Sequence, residues 1–273
     1  MREIFKRIFY VIYFPASFVW RKLDTIGSWR ETRWWIAHLP NAMFTPATYA
    51  SYAGWLQNQG MFSALFSLYL KKEKPNIMDF GCGMGGLAPV SHYFVKNGGK
   101  YLGVDTDAKS IAACRNTYGD LQNCEFYLTR DQNAWYPQSG TPQPKPGEID
   151  WPVANGSQDL ITAMSVFTHL QEKDAFQYRD KIYEVLAPGG LAILSFHIVR
   201  GYENPNTTYQ FKHRLTPGWY TSNVNCPEHA IGIEHDVLLK FLAPKFKVLA
   251  HIEGQVTGGR HPSLQDLMVL QKI

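Results

Sequence analysis

A glycine-rich turn between two short apolar runs constrains the fold of this chain more than any other feature. The first run spans residues 77–80 and leads into Gly-Cys-Gly-Met-Gly-Gly at 81–86. A helical pattern continues through Asn97, and a second apolar run at 101–104 ends at Asp105. Strand, turn, helix and strand in this order predict a βαβ unit, and such units bind ligands at the carboxyl ends of their strands.

The residue types at this turn favour a ligand that carries an amino group and a ribose but no phosphate. Glycines at 81, 83 and 85 tolerate positive φ and let a ligand approach the backbone. Asp79, before the first glycine, would repel a pyrophosphate but could accept hydrogen bonds from an ammonium group. Asp105, about 20 residues after the turn, is placed to bind both ribose hydroxyls. An aminoacyl nucleoside fits both ends of this site.

At these residues the sequence resembles the class I S-adenosylmethionine (SAM) dependent methyltransferases. D-F-G-C-G-M-G-G is similar to their first motif, and G-V-D, ending at Asp105, to their second. The resemblance implies an α/β, Rossmann-like three-layer sandwich with an N-terminal helical extension. Its seven-stranded, mostly parallel sheet would have the order 3-2-1-4-5-7-6. The alternative is a tight βα turn in another α/β protein, where the glycines serve only packing.

The resemblance also implies SAM as the cofactor and a set of residues that contact it. Asp131 or Gln132 would bond the adenine amine, because they begin the proline-rich segment 130–157 that follows the third strand. Cys82 would line the pocket rather than perform chemistry. The complete set expected at the cofactor is Asp79, Gly81, Cys82, Gly83, Gly85, Asp105, Thr106, Asp131, Gln132 and Ser165.

Downstream patterns predict the rest of the sheet and narrow the resemblance. We expect strands at 124–129, 159–165, 191–196, 245–254 and 266–273, and helices at 107–118, 172–186 and 230–242. Four motifs are similar to a bacterial subset of these methyltransferases that is often found with glycan and cell-envelope biosynthesis genes. They are N-x-x-Y-P-x-S-G, S-V-F-T-H-L, E-V-L-A-P-G-G-L and the ending G-G-R-x-x-x-x-Q-D-x-x-V-L-x-K.

Two histidines follow the carboxyl ends of central strands, where the resemblance places the cofactor methyl group. His169 comes after the fourth strand and His197 after the fifth. An alcohol acceptor needs a base because its proton leaves as the new bond forms, whereas a carboxylate or a neutral amine needs none. We expect His169 to be the base and keep His197 as the second candidate. The alternative for His169 is an early-helix residue bonded to the backbone.

The acceptor is expected near a second insertion at 197–228, which is rich in aromatic and polar residues. Tyr209, His213 and, from the last turn, Arg260 are the candidate acceptor contacts, and a sugar suits such a surface. We therefore predict O-methylation of a sugar hydroxyl in a glycan, glycolipid or nucleotide sugar. The alternatives are a small-molecule O- or N-methyltransferase of secondary metabolism and a SAM-binding module without catalysis. No Asp/Asn cluster indicates a metal.

The first 74 residues are expected to precede the catalytic domain at 75–273. Segment 1–36 is basic and aromatic, and 37–74 reads as a helical cap. Within 1–22 the apolar run is too short to span a bilayer, which needs about 20 residues, but it suits the surface of an anionic membrane.

Composition limits the partners and the compartment. A formal charge of +4 does not by itself indicate nucleic acid, and four cysteines without C-x-x-C spacing suit a reducing compartment. We expect a cytoplasmic protein, peripheral at the inner membrane face. The sequence carries no signal for the oligomeric state.

Overall fold

A computed structural model of the chain describes residues 51–130, 149–200, 209–257 and 265–273. These residues form ten strands: β1 Asn76–Phe80, β2 Lys100–Asp105, β3 Cys124–Leu128, β4 Gln158–Ala163, β5 Leu186–Val199, β6 His213–Thr216, β7 Trp219–Thr221, β8 Ile231–Glu234, β9 Phe246–Ile252 and β10 Asp266–Lys272. They also form five α-helices: α1 Tyr52–Tyr69, α2 Ala88–Val95, α3 Ala108–Tyr118, α4 Glu172–Val185 and α5 His235–Leu242.

The central sheet has the predicted order. Strands β3, β2, β1, β4 and β5 lie side by side and pair in parallel. On the far side, β10 pairs antiparallel with β5, and β9 pairs antiparallel with β10. With β9 as the sixth and β10 as the seventh strand of the expected sheet, the order 3-2-1-4-5-7-6 and the Rossmann-like α/β class are confirmed.

Apolar residues on these strands and on the helices between them build a large core cluster. All six residues of β4 are buried, as a strand covered on both faces requires. Ile161 on β4, Leu194 on β5 and Met268 on β10 are each fully buried in the same cluster. The core therefore lies along the middle of the sheet and fixes where the carboxyl ends of β1, β4 and β5 meet.

The insertion after β5 adds three strands that the sequence did not predict. The hairpin of β6 and β7 is antiparallel, and β7 pairs with β8. Strand β8 in turn runs parallel to the last three residues of β5, His197–Val199. The predicted fifth strand at 191–196 is therefore longer on both sides, and within the expected loop at 197–228 the residues 197–199, 213–216 and 219–221 are strand.

The predicted helix at 230–242 is wrong over its first turn, because Ile231–Glu234 is strand β8. Gly232 explains why this segment is a strand and not a helix. A Cβ at this position would lie 2.7 Å from Val199 Cγ2 and 2.8 Å from Phe211 Cγ. Only a glycine lets the backbone of β8 approach these neighbours so closely. Helix α5 then begins at His235 and buries Leu238, Phe241 and Leu242.

Several predictions concern residues outside the described ranges. The segments 1–36 and 37–50 are among them, so the membrane surface predicted for residues 1–22 stays a prediction. The described part of the cap, 51–74, contains α1, which begins after Ser51, whose hydroxyl accepts a hydrogen bond from Gly54 N–H. Within the described ranges no helix combines the length and the apolar character that crossing a membrane requires.

Candidate functional site

The glycine turn after β1 is held against the end of β2. Gly81 and Cys82 both donate their N–H groups to Val104 O, at 2.8 and 3.1 Å. Gly83 N–H donates to Asp105 Oδ2 at 2.7 Å. The turn and the acid that were 22 positions apart in the chain are thus in direct contact, as the βαβ prediction requires.

The three turn glycines all have positive φ, but they differ in what surrounds them. At Gly85 (φ +78) an added Cβ would lie 2.4 Å from Tyr118 Cε2, and at Gly81 (φ +72) it would lie 2.4 Å from Val166 Cγ2. At Gly83 (φ +51) it would meet nothing within 4 Å. The backbone at Gly83 therefore faces open space, as a surface that receives a ligand should.

Asp79 is buried and is held by two hydroxyl groups. Tyr101 donates its hydroxyl to one carboxylate oxygen at 3.0 Å, and Thr162 donates to the other at 2.7 Å. Burial raises the pKa of Asp79 to about 7, although both hydrogen bonds act to lower it. Each oxygen of a carboxylate can accept a second hydrogen bond. Asp79 can thus still receive a proton donor of the cofactor.

Asp105 uses its carboxylate to organise the backbone around it. Oδ2 accepts from Gly83 N–H, and Oδ1 accepts from Asp107 N–H at 2.8 Å. Burial raises the pKa of Asp105, whereas the backbone N–H groups of Asp107, Gly83 and Thr106 lower it. The second lone pair of each oxygen remains available to ribose hydroxyls, and Asp105 ends β2, as the βαβ prediction requires. The cofactor contacts of Asp105 and Thr106 stay predictions.

Cys82 shares the carbonyl oxygen of Gly83 with a second thiol. Cys82 Sγ lies 3.6 Å and Cys114 Sγ 3.2 Å from this oxygen. The hydrogen bond with Cys114, followed by burial, raises the pKa of Cys82 well above its ordinary value. Cys82 is therefore a buried, protonated thiol that packs beside the turn.

Ser165 lies two residues after the end of β4 and has an unusual backbone conformation, with φ +57. Its N–H donates to Ser195 Oγ at 2.7 Å, and its Oγ accepts from Gln265 Nε2 at 2.8 Å. Sequence reasoning did not single out Gln265. The only signal was its place in the Q-D pair of the C-terminal motif.

His169 ends a short 3-10 turn, Phe167–His169, and is oriented by the inserted segment. Its Nδ1 lies 2.8 Å from Glu228 O. A carbonyl oxygen can only accept, so Nδ1 carries the proton and Nε2 carries the basic lone pair. Burial is the main cause that lowers the pKa of His169. The imidazole is thus neutral near pH 7, with a defined tautomer.

His197 is the more buried of the two predicted histidines. Its ring packs against both Tyr209 and Phe211, with centroids 5.2 Å from each. Burial lowers the pKa of His197 to about 3, and within the described ranges its Nδ1 has no hydrogen-bond partner. A ring enclosed in this way supports the site by packing, so the geometry favours His169 as the base.

The predicted acceptor residues differ in their distance from the predicted histidines. Tyr209 packs on His197 and, with a centroid distance of 5.6 Å, on His229. His213 is exposed on β6, three strands away from β5 in the sheet order, which is about 14 Å at the usual strand spacing. The structure therefore brings Tyr209 to the histidines and leaves His213 away from them. Asp131, Gln132 and Arg260 lie outside the described residues and stay predictions.

His229 is a further residue of this region that sequence reasoning missed. Besides its contact with Tyr209, its Nδ1 lies 3.4 Å from Ser222 Oγ. It acts on the pKa of His169 in both directions, since its ring lowers that pKa electrostatically and a hydrogen bond with its backbone raises it. It falls between the insertion at 197–228 and the helix predicted at 230–242, so no local signal marked it. In the described ranges, no three His, Cys, Asp or Glu side chains converge as a metal site would require.

Residues 78–192 match a family model described as a methyltransferase domain. Among solved structures, the chain is similar to a SAM-dependent methyltransferase from Methanosarcina mazei, with 15% identity, a TM-score of 0.50 and coverage of 77% of this chain and 97% of that one. A protein from Pyrococcus horikoshii OT3 is similar at 15% identity and a TM-score of 0.52, covering 80% and 91%.

A third similar structure is the geranyl diphosphate C-methyltransferase from Streptomyces coelicolor A3(2), solved with S-adenosyl-L-homocysteine. It shares 12% identity and a TM-score of 0.52, and the match covers 78% of this chain and 77% of that one. At these identities the likeness shows the fold. Together with the family match, it supports a methyltransferase that uses SAM.

Proposed function

We propose that this chain is a SAM-dependent O-methyltransferase whose acceptor is a sugar hydroxyl in a glycan, glycolipid or nucleotide sugar. The observation that carries the proposal is the state of His169. Its Nδ1 points at Glu228 O, and burial holds its pKa below the ordinary value. A neutral imidazole with a fixed tautomer at the carboxyl end of β4 is the group that deprotonation of an alcohol requires.

The residues around the glycine turn fit the cofactor. The open backbone at Gly83 leaves room for the amino acid part, and Asp79 offers a buried carboxylate to an ammonium group. Asp105 and Thr106 suit the ribose, and Ser165 borders the same edge of the sheet. When bound, SAM supplies an electrophilic methyl group. The chain itself needs to orient the acceptor, exclude water and remove a proton.

His169 supplies the proton acceptor. A hydroxyl oxygen must lose its proton as its bond to carbon forms, and His169 Nε2 is the atom that takes it. A positioned base of this kind contributes about 10²- to 10⁴-fold to the rate. A carboxylate acceptor would gain nothing from such a base, so the arrangement favours an alcohol.

The surroundings of His169 favour a neutral group at the reacting end of the acceptor over an anionic one. Both His169 and His197 have lowered pKa values because they are buried, so neither offers a positive charge near pH 7. The ring of Tyr209 packs on His197 and on His229. Aromatic faces with neutral polar atoms suit a polyhydroxylated molecule, since rings pack on C–H surfaces while polar groups bond the hydroxyls.

A labelling experiment tests the proposal. The protein is incubated with methyl-labelled SAM and, in separate reactions, with neutral oligosaccharides, nucleotide sugars, glycolipids, amines and heterocycles. We expect label in a saccharide and about 100-fold less of it with His169→Gln. Label confined to amines or heterocycles would discard the sugar acceptor. Bound SAM without formation of S-adenosylhomocysteine, in extract that contains the native acceptor, would leave a non-catalytic binding module.

A further inference from the structure

We infer that Gln265 is a positioning residue for both halves of the site: its amide holds the turn after β4, which contacts the glycine turn on one side and carries His169 on the other. The inference rests on the function proposed above, because that proposal makes His169 the base. The effect of Gln265 on cofactor binding can be measured without any acceptor.

Gln265 closes a ring of three hydrogen bonds. Ser165 N–H donates to Ser195 Oγ at 2.7 Å, and Ser195 Oγ donates to Gln265 Oε1 at 2.6 Å. Gln265 Nε2 then donates to Ser165 Oγ at 2.8 Å. The ring joins the ends of β4 and β5 to the residue before β10. Since an amide offers an acceptor and a donor at once, this side chain can complete the ring in both directions.

The ring surrounds a backbone conformation that needs support. Ser165 has φ +57, and among the described residues only Asn123 is another non-glycine with positive φ. A serine in this region is strained, and such strain persists only where neighbouring groups hold it. The bonds to Ser195 and Gln265 engage the N–H and the Oγ of Ser165, so they provide that support.

The conformation of Ser165 sets the course of the residues that follow. Val166 packs on the glycine turn so closely that a Cβ at Gly81 would lie 2.4 Å from Val166 Cγ2. Val166 O also accepts the N–H of His169 at 2.9 Å. A change at Ser165 is therefore transmitted to the cofactor turn and to the base together.

The neighbour of Gln265 in the chain explains how the amide is kept in place. Asp266 is fully buried and pairs with Phe196 across the β5–β10 ladder. Its Oδ1 accepts from His251 Nε2 at 3.0 Å and Thr257 Oγ1 at 2.9 Å. The pair Gln265-Asp266 thus has one member fixed in the core and one that reaches the site.

The experiment compares Gln265→Leu with Gln265→Glu and with a matched control, Gln271→Leu. Gln271 lies at the other end of β10, is half-buried and bonds only weakly to Gly189 O at 3.3 Å. For each variant, calorimetry gives the Kd for SAM without acceptor, thermal unfolding gives the Tm, and labelled transfer gives kcat. We expect Gln265→Leu to raise the Kd about fivefold and to lower kcat about tenfold or more.

The rescue and control variants separate positioning from general stability. A glutamate at 265 can accept from the hydroxyls of Ser195 and Ser165, so Gln265→Glu should stay within about threefold of wild type. Gln271→Leu should match wild type. If Gln265→Leu does not fold, Ser195→Ala, which removes the acceptor for Ser165 N–H, must show the same loss of SAM affinity; unchanged affinity there overturns the inference.

A double-mutant cycle with Ser165→Gly completes the test. Glycine adopts φ +57 without strain, so Gln265→Leu should change the Kd by less than about threefold in that background. An effect of equal size in both backgrounds, or no effect in wild type, overturns the inference. If the Kd effect appears while no saccharide is methylated, only the proposed acceptor fails. If wild type binds no SAM, the proposed function itself fails.

Discussion

His169 Nδ1 lies 2.8 Å from the main-chain oxygen of Glu228, which is 59 residues further along the chain. The contact joins the turn after β4 to the turn before β8. Because the partner is a backbone carbonyl, the tautomer of His169 depends on the path of the inserted segment and not on a particular side chain. The insertion is thus part of the catalytic machinery that we propose.

Replacing His169 tests its role as base. His169→Gln keeps a polar side chain but removes the proton acceptor, so kcat for a hydroxyl acceptor should fall about 10²- to 10⁴-fold, while the Kd for SAM stays within about twofold. His92→Gln is the control, since burial also lowers the pKa of His92, on α2. Retention of more than about a third of wild-type kcat by His169→Gln would argue against the assignment.

The orientation of His169 can be disturbed from a distance through Thr221. Thr221 is fully buried, and its Oγ1 donates to Pro227 O at 2.9 Å. Thr221→Val removes this bond next to Glu228, so we expect a loss of about 1–2 kcal/mol in the free energy of unfolding and roughly tenfold in kcat. Urea denaturation and initial rates measure the two effects.

The matched control for that substitution lies on the same hairpin. Thr216 Oγ1 is buried without a hydrogen-bond partner among the described residues, so Thr216→Val should leave both quantities nearly unchanged. Equal losses in the two valine variants would show that the hairpin responds to any change and does not act through Glu228.

Because of the open space at Gly83, we expect Gly83→Ala to weaken SAM binding while it destabilises the fold only moderately. In Gly83→Ala the methyl group meets no protein atom within 4 Å, so the cost to folding should be only that of a left-handed alanine, about 1–2 kcal/mol. The Kd for SAM should rise at least about tenfold, because the methyl group occupies the ligand's space. Normal SAM binding by Gly83→Ala would contradict the placement of the cofactor.

Gly85→Ala provides the opposite case on the same turn. Its Cβ would lie 2.4 Å from Tyr118 Cε2, and Tyr118 is fully buried. The substitution should therefore destabilise the fold by clearly more than Gly83→Ala does, as overpacking in a core typically costs about 1–3 kcal/mol beyond backbone strain. Chemical denaturation of both variants compares the two losses directly.

The raised pKa of Asp79 predicts how stability changes with pH. Burial brings this pKa to about 7 in the folded protein from an ordinary value of 3.8. Between these values the folded protein keeps a proton that the unfolded chain has released, so stability falls as pH rises toward 7 and then levels off. Relative to Asp79→Asn, which does not titrate, wild type should lose about 2 kcal/mol between pH 5 and pH 7. A difference that is independent of pH would contradict the assignment.

The sequence predicted those parts of the fold that depend on local patterns. The glycine turn, Asp105 and the fourth strand each have a signal within a few neighbouring residues. Strand β8 was missed because Ile231–Ile233 is a short apolar run, and such runs fit a helix as well as a buried strand. What decided between them was the contact of Gly232 with Val199 and Phe211, which no local pattern contains.

In the candidate site, too, the sequence predicted what local patterns mark and missed what depends on long-range contacts. His169 was predicted because it follows a strand end, but its orientation by Glu228 depends on residues from another part of the chain. Gln265 lies 100 positions from the serine it bonds, so neither periodicity nor spacing marked it. Long-range hydrogen bonds of single side chains carry much of the site, and they become readable only once the strands are arranged.

Strand β5 changes partners along its length: residues up to Phe196 pair with β10, and from His197 onward they pair with β8. The C-terminal hairpin and the inserted strands therefore share one backbone without competing for its hydrogen bonds. During evolution such an insertion can be exchanged for a different one while the seven-stranded scaffold survives. Here the exchange would also discard the carbonyl that fixes His169, so a new acceptor and a new base would have to arise together.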